Sequence, residues 1–264
     1  MQNIEKVLKK IKTGEVGIIV YSTAKQKKLL SLNEELSVPL ASAGKVAIAF
    51  CVVKLVEERH CGWDDIITDV HFNPKEDSKE IYPHLQKRET LLLREAVEVM
   101  IACHDSLVAN SIVQFCGGLD KINRKIKSHF MGIDITQNPR DEENKGEIKQ
   151  VFDLLLLIYE GYKKSPELWS PVINGLVRQR GEIEGIPAHH FNHMTGGLDS
   201  VVVDMGMIGE FSENPFLFVL GAKNLPNRNN FSCADDVIIE TIKLLYNDYE
   251  KANLVSTSQS PFNL

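Results

Sequence analysis

A serine and a lysine three positions apart precede a very apolar stretch, in the segment Ser42-Ala43-Gly44-Lys45. On a helix, residues at i and i+3 share one face, so the lysine amine is placed against the serine hydroxyl. Burial disfavours the charged ammonium, and a buried lysine can therefore accept a proton near neutral pH. The pair predicts an activated nucleophile, Ser42, with Lys45 as its base. Taken alone, it also fits a helix-capping serine beside a surface lysine.

The Gly44-Lys45 pair by itself is also typical of a phosphate-binding loop, but its neighbours contradict that interpretation. Such a loop needs a glycine five positions before the glycine of its Gly-Lys pair. This chain has Pro39 at that place. The loop also needs serine or threonine directly after the lysine, where this chain has Val46. We therefore do not expect a nucleotide site of this kind.

The composition indicates a globular chain with a large core. The chain has 264 residues, 43% of them hydrophobic, and a formal net charge of −6. Its basic residues are scattered rather than clustered on one face, so we expect no nucleic-acid partner. Its apolar runs are too short to span a bilayer, so we expect no membrane partner either. The sequence does not predict the oligomeric state.

The five cysteines are odd in number and show no metal-like or CxxC spacing, which predicts free thiols in a reducing compartment. The N-terminal segment lacks the apolar stretch of a signal peptide. We therefore expect a cytoplasmic location for the chain as given, although a leader could have been removed from a longer protein.

Three histidines stand close together at His189, His190 and His193. They form a poor ligand set, because the sequence brings no cysteine or carboxylate near them. We predict neither a metal site nor a cofactor.

The apolar patterns predict an α/β (α+β) fold, an antiparallel sheet flanked by helices with an all-α lobe inserted. Residues 1–264 form one domain, with a sheet lobe at about 1–41 and 188–264 and an all-α lobe at about 42–187. Thr90 is predicted to cap a helix that enters the second half of the all-α lobe. The predicted helices cover residues 3–12, 42–57, 90–101, 107–116, 120–130, 147–161 and 233–252, and the predicted strands cover 15–22, 29–32, 200–211 and 215–222.

Two further motifs follow Ser42-Ala43-Gly44-Lys45 in the chain, His104-Asp105-Ser106 and Met194-Thr195-Gly196. With them, the chain resembles the superfamily of serine β-lactamases and penicillin-binding proteins, and it is most similar to class A β-lactamases. That family carries Ser-x-x-Lys, then Ser-Asp-Asn, then Lys-Thr-Gly. Asn110 and Gly117-Gly118 also match, at their offsets from the second motif. The resemblance covers about the whole chain and implies the β-lactamase-like fold.

The resemblance implies a role for each matching position. Ser42 attacks a carbonyl and becomes acylated, Lys45 is its base, and the backbone N–H groups of Ser42 and Gly197 bind the oxyanion. His104 replaces the serine that passes a proton to the leaving nitrogen, a task that an imidazole can perform. Asp105 is expected to bind backbone N–H groups and fix its loop. The substrate-binding positions are Ser106, Thr195, Gly196 and Gly197.

Two departures from the family pattern affect the expected substrate and the expected rate of deacylation. Met194 replaces the lysine that helps to bind the carboxylate of penicillins, and a lost charge-assisted hydrogen bond costs on the order of 1.5–3 kcal/mol. The interval between His104 and Met194 is short, in the region where class A enzymes carry a Glu-x-x-x-Asn sequence that holds the deacylating water. Residues 136–147 contain Glu142, Glu143, Asn144 and Glu147 but no such sequence.

The sequence therefore predicts a β-lactamase-like serine hydrolase that forms an acyl-enzyme on Ser42. Its substrate is a small molecule, either a β-lactam or another amide or ester. The alternative is a catalytically degenerate protein of the same fold that binds a ligand or partner through the former cleft.

Overall fold

A computed structural model of the chain describes residues 1–230 and 233–257. The elements up to the middle of the chain are α1 (Gln2–Leu8), β1 (Glu15–Ser22), β2 (Lys27–Leu32), β3 (Ser37–Pro39), α2 (Gly44–Glu57), β4 (Ile66–Ile67), α3 (Ser78–Ile81), β5 (Leu91–Leu92), α4 (Leu93–Ala102), α5 (Ser106–Phe115) and α6 (Leu119–Lys127). They are followed by β6 (Ile133–Asp134), β7 (Lys145–Glu147), α7 (Ile148–Lys164), α8 (Pro166–Arg178), β8 (Phe191–Leu198), β9 (Val201–Ile208), β10 (Phe216–Lys223) and α9 (Cys233–Thr257).

The main sheet is antiparallel and has five strands in the order β2-β1-β10-β9-β8. Strands from the two ends of the chain meet where β1 pairs with β10, in a register that runs from Glu15 opposite Lys223 to Ser22 opposite Phe216. The predicted fold class, an antiparallel sheet built from both chain ends with a mostly helical segment between them, is confirmed. In this order β8 is an edge strand: one side of its backbone pairs with β9, and the other side pairs with no strand of this sheet.

The two faces of the sheet pack against different elements. One face is covered by α1 and α9, with Ile4, Ile18 and Leu245 fully buried between them. The other face packs on the helices of the middle segment, where Ile19 and Val219 belong to the larger core. Each fully buried Ile, Leu or Val stabilises the fold by about 1.5–3 kcal/mol, so the larger core holds the sheet and helices together.

Helix α2 is enclosed by that larger core. Its residues from Gly44 to Val53 are all buried, including Lys45, and Val46, Ala49 and Phe50 have no exposed surface. A helix that is apolar around its whole circumference must be surrounded on all sides by other elements. The start of α2, which carries Lys45, is therefore held rigidly by packing.

The structure differs from the sequence-based expectation at the start of α4. Thr90 does not cap this helix, because Leu91 and Leu92 first pair with Ile67 and Ile66 in a two-stranded ladder. The helix then begins at Leu93, and Glu95 accepts a hydrogen bond from the Leu92 N–H at 2.9 Å. A glutamate three positions into the helix thus provides the cap that was assigned to threonine.

All five cysteines lie within the described residues and are free thiols. Burial raises the pKa of Cys51, Cys103 and Cys116 to about 12, so these thiols are inert at neutral pH. Within the described residues, no helix combines the length and the apolar character needed to cross a membrane.

Candidate active site

The predicted nucleophile lies in a 3-10 turn, Ala41–Ala43, that leads directly into α2. Lys45 Nζ lies 3.1 Å from Ser42 Oγ, and Ser42 is partly exposed. Lys45 itself is only 4% exposed. This burial lowers the pKa of Lys45 to about 8, although the nearby carboxylates Glu76 and Asp105 act in the opposite direction. A substantial neutral fraction of the amine is therefore present near neutral pH, within hydrogen-bond distance of the hydroxyl.

The turn before Ser42 is held in an uncommon backbone conformation. Ala41 has a φ of 47°, in the left-handed region that non-glycine residues rarely adopt. Asn144 binds both sides of it: its side-chain Nδ2 donates to the Ala41 carbonyl at 2.9 Å, and its own carbonyl accepts from the Leu40 N–H at 2.6 Å. A residue far along the chain thus fixes the orientation of the nucleophile.

Strand β8 approaches the same turn from the other side. A Cβ atom on Gly196 would collide with the Leu40 carbonyl oxygen and would lie 3.0 Å from Ala43 N and 3.2 Å from Ser42 N. Only a glycine allows the strand backbone to come this close. The edge of β8 therefore lies beside the Ser42 N–H, where the oxyanion was predicted.

The second motif forms the turn between α4 and α5. His104 has a φ of 54°, and Asp105 is completely buried as the N-cap of α5. The Asp105 carboxylate accepts hydrogen bonds from the N–H groups of Leu107 and Val108 at 3.0 and 3.1 Å. Its other oxygen accepts from the Asn73 N–H at 2.9 Å, which ties the 71–77 loop to this turn.

His104 lies in an environment that keeps it neutral. Burial lowers its pKa to about 4, and the positive charges of Lys45 and His193 contribute in the same direction. A neutral imidazole carries one N–H and one lone pair, so it can accept a proton at one nitrogen while it releases another. His193 is buried, and its Nδ1 lies 2.8 Å from Asp204 Oδ1.

The third motif contributes backbone rather than charge. Met194 has no exposed surface and packs in the larger core with Met205, its partner on β9. The Thr195 hydroxyl donates to the Val203 carbonyl at 3.3 Å, and Gly197 is exposed at the strand edge. The position that carries a lysine in the family pattern therefore provides no cation to the cleft.

A cavity of about 530 Å³ opens beside Ser42. Among its lining residues are four of the predicted site residues: Ser42, Lys45, Ser106 and Gly197. The other three predicted site residues lie one or two positions away from these in the chain but do not line the cavity: His104, Thr195 and Gly196.

Several residues of this cavity were not predicted from the sequence. Asn73, Lys75 and Glu76 line it from the 71–77 loop, and Arg140 lines it from the loop that precedes β7. The 71–77 loop lacks any periodic pattern, so its position near Ser42 depends on the contact between Asp105 and Asn73. The one available signal was its length, since long irregular loops in compact domains often carry function.

The loop that precedes β7 presents a guanidinium to the cavity. Asn144 is four positions after Arg140, so Arg140 takes the first position of the Glu-x-x-x-Asn spacing, and Arg140 lines the cavity. Glu142 and Glu143 are exposed, and Glu143 pairs with Lys145. Glu147 accepts a hydrogen bond from Gln150. The glutamates that the sequence offered on this loop therefore do not line the cavity.

A neighbouring depression of about 450 Å³ extends the cleft along β8. Arg228 lies here, and a Cβ on Gly197 would come within 2.9 Å of its Nη1. Arg228 donates to the Leu198 and Val201 carbonyls at 3.0 and 2.8 Å and pairs with Asp235. It therefore supports the end of β8 and adds positive charge to the cleft.

The described residues contain no group of three or more His, Cys, Asp or Glu side chains placed to hold a metal ion. A separate cavity of about 390 Å³ is lined by Trp63, Tyr82 and Glu98 among others, and its serine, Ser170, donates its hydroxyl to the Pro166 carbonyl rather than to a base. Glu98 is occupied by hydrogen bonds from Tyr82 and Asn174 and by an ion pair with Arg178. The chemistry is therefore concentrated at Ser42.

Solved structures resemble the whole chain at low sequence identity. PBP-A, in a single-site mutant described as an acyl-enzyme complex with penicillin G, has a TM-score of 0.78 and 20% identity over 95% of this chain and 96% of its own. The TLA-3 extended-spectrum β-lactamase has a TM-score of 0.76 and 19% identity over 94% and 97%. A β-lactamase from Chitinophaga pinensis has a TM-score of 0.75 and 19% identity over 94% and 98%. These similarities establish the fold.

A search of curated protein sequences finds no match. The sequence pattern of the beta-lactamase enzyme family, however, matches residues 1–247. With the Ser42–Lys45 pair and the shared fold, this match shows that the chain belongs to the beta-lactamase enzyme family.

Proposed function

We propose that this chain is a serine hydrolase that forms an acyl-enzyme on Ser42 while cleaving a small amide or ester, β-lactams among them. The observation that carries the proposal is the 3.1 Å contact between Lys45 Nζ and Ser42 Oγ at a cavity, with burial lowering the pKa of Lys45 to about 8. A capping serine beside a surface lysine would have neither the buried amine nor the cavity.

In the proposed acylation, neutral Lys45 takes the proton of Ser42 as Oγ attacks the carbonyl carbon. The oxyanion lies between the N–H groups of Ser42 and Gly197. His104 passes a proton toward the leaving group and Ser106 binds the substrate, while Thr195, whose hydroxyl donates to the Val203 carbonyl, contributes through the backbone of its strand. Lys45 gives up the proton through the residues of the second motif and so returns to the neutral form, while the acyl group stays on Ser42.

The charge of the cleft bears on the substrate. Met194 supplies no cation, but Lys75, Arg140 and Arg228 surround the cleft with positive charge. These cations offset the missing lysine only in part, because none of them stands in the third motif, and we expect the substrate carboxylate, where there is one, to be bound less tightly than in enzymes with a lysine there. Turnover of common β-lactams is expected to be slow.

The competing proposal is a protein that binds a ligand or partner without catalysis. The altered third motif and the guanidinium in place of a loop carboxylate favour it. It differs from the hydrolase in one measurable respect, because a binding protein forms no covalent bond to Ser42.

The test is intact-mass spectrometry after incubation with a fluorophosphonate, penicillin G and a chromogenic cephalosporin. We expect an adduct on the wild type that Ser42→Ala abolishes and that Ser128→Ala, a change at an exposed serine, leaves intact. Absence of an adduct with every reagent would favour the binding protein. Rapid cephalosporin hydrolysis would contradict the expected slow turnover.

We further propose that the chain acts in the cytoplasm on a small molecule, with no nucleic-acid or membrane partner. The scattered basic residues and net charge of −6 support the absence of a nucleic-acid partner, and the free thiols support a reducing compartment. Cell fractionation with an antibody to the native protein tests it, and recovery in the periplasm or at the membrane would contradict it.

A further inference from the structure

The cavity beside Ser42 contains a carboxylate for which the acylation step has no use. Of the described side chains that line it, Glu76 is the one carboxylate, among the cations Lys45, Lys75 and Arg140. Glu76 belongs to the 71–77 loop, whereas Arg140 belongs to the loop that precedes β7.

Glu76 is held in place by hydrogen bonds that converge on Asn73. The Asn73 side-chain Nδ2 lies 3.4 Å from Glu76 Oε1 and 3.3 Å from Ser106 Oγ. The Asn73 backbone N–H donates to the buried Asp105 at 2.9 Å. The same turn that carries His104 and Ser106 therefore positions this carboxylate relative to the nucleophile.

The surroundings of Glu76 make it a better base than an exposed glutamate. Partial burial raises its pKa, and the negative charges of Asp105 and Asp77 act in the same direction. Lys45 and Arg140 face it and lower the pKa. A carboxylate with a raised pKa accepts a proton from water more readily than an ordinary one.

Among the described residues, the loop that precedes β7 offers no carboxylate to the cavity. Arg140 lines the cavity there, and a guanidinium cannot accept a proton at neutral pH. Glu143 is turned toward Lys145 in solvent. Water that enters the cavity beside an acylated Ser42 thus has Glu76 as its available carboxylate.

We propose that Glu76 is the general base that activates the water which releases the acyl group from Ser42. This assignment rests on the proposed acyl-enzyme function. Glu76 takes a proton from water as the water oxygen bonds to the acyl carbon. The tetrahedral intermediate then collapses, the bond from carbon to Ser42 Oγ breaks, and the proton held by Glu76 passes through neutral Lys45 to Oγ. Glu76 is again a carboxylate and Lys45 again neutral, so the enzyme is restored and one carboxylic acid or its equivalent leaves.

The experiment measures acylation and release separately with p-nitrophenyl acetate. The initial burst of p-nitrophenol reports acetylation of Ser42, and the steady rate reports hydrolysis of the acetyl-enzyme. Glu76→Gln keeps the shape of the side chain and removes its basicity, and Glu143→Gln is the matched control on the loop that precedes β7. We expect Glu76→Gln to keep the burst, to slow the steady rate at least about 100-fold, and to accumulate acetyl-Ser42 by intact mass. Glu143→Gln should match the wild type.

Rescue distinguishes chemistry from structure. In Glu76→Ala, added formate should restore part of the steady rate, because a small carboxylate can occupy the vacated space. Equal release rates in wild type and Glu76→Gln would overturn the assignment, as would loss of the burst in the variants or failure of formate to rescue. A wild type with neither a Ser42-dependent steady release of p-nitrophenol nor acetylated Ser42 would reject the proposed hydrolase itself, and the base with it.

Discussion

The turn at Ala41–Ala43 and the strand β8 meet at the cleft, yet they contribute to it in opposite ways. The turn contributes side chains, because Ser42 Oγ and Lys45 Nζ are the groups that would react. The strand contributes backbone, because Met194 is buried in the core while Gly196 brings the main chain against Ser42. At the turn, changing a functional group should abolish chemistry, whereas at the strand only changes of shape should matter.

Of the variants that test this contrast between turn and strand, Lys45→Met is expected to have the largest effect. Removing the base should slow acylation of Ser42 by about 10²–10⁴-fold. The same change removes a buried amine that is costly to keep partly charged, so the free energy of unfolding should rise by about 1–3 kcal/mol. Labelling kinetics with a fluorophosphonate and thermal denaturation measure the two effects. Lys54→Met, on the same helix and paired with Glu57, is the control and should leave labelling unchanged. Fast labelling of Lys45→Met would show that Lys45 is not needed as the base, and the role assigned to the turn would be wrong.

The pH dependence of acylation should follow the neutral form of Lys45. Its pKa is lowered to about 8, so the reactive fraction grows about tenfold for each pH unit below that value and levels off above it. Labelling rates from about pH 6 to about pH 9 should trace this curve in the wild type. A rate that still rises about tenfold between about pH 8 and about pH 9, as the ordinary lysine value of 10.5 would give, would mean that Lys45 is not desolvated in solution.

Gly196→Ala tests whether the strand acts through its backbone. The new Cβ would collide with the Leu40 carbonyl oxygen, so either the strand or the turn must move. We expect a loss of about 1–3 kcal/mol in the free energy of unfolding and labelling slowed about 10- to 100-fold. Gly62→Ala, where the nearest atom to a Cβ is 3.6 Å away, is the control. Unchanged labelling in Gly196→Ala would show that the close approach is not needed.

The smallest effect is expected from Met194→Leu. The two side chains have similar volumes, and the site is fully buried among apolar neighbours. The free energy of unfolding should change by less than about 1.5 kcal/mol and labelling by no more than about twofold. A large loss of labelling with the fold intact would mean that the thioether itself takes part in the site, and the contrast between turn and strand would fail.

The sequence predicted the parts of the site that depend on local spacing. Ser42 and Lys45 are brought together by a single helical turn, and Asp105 caps the helix that begins with the next residue. The antiparallel sheet followed from the apolar strand patterns at both chain ends. These features need little knowledge of distant contacts.

The rest depends on contacts between distant segments. Glu76 reaches the cavity from a loop whose backbone, at Asn73, is bound by Asp105. No periodic sequence pattern predicts that contact. Helix α8 was not predicted, because Pro171 and Gly175 lie inside it and resemble helix-breaking signals. Packing overrides them there: Pro171 and Gly175 are buried, and a Cβ on Gly175 would press against Ile101 of α4.

The left-handed Ala41 has one more consequence. Its conformation is maintained by Asn144, whose two hydrogen bonds belong to a loop that contributes no reacting group. The reactive geometry is therefore assembled during folding, before any substrate arrives, and no induced fit is needed to aim the hydroxyl. Loss of the Asn144 side chain alone should accordingly inactivate the protein while leaving every residue that lines the cleft in place.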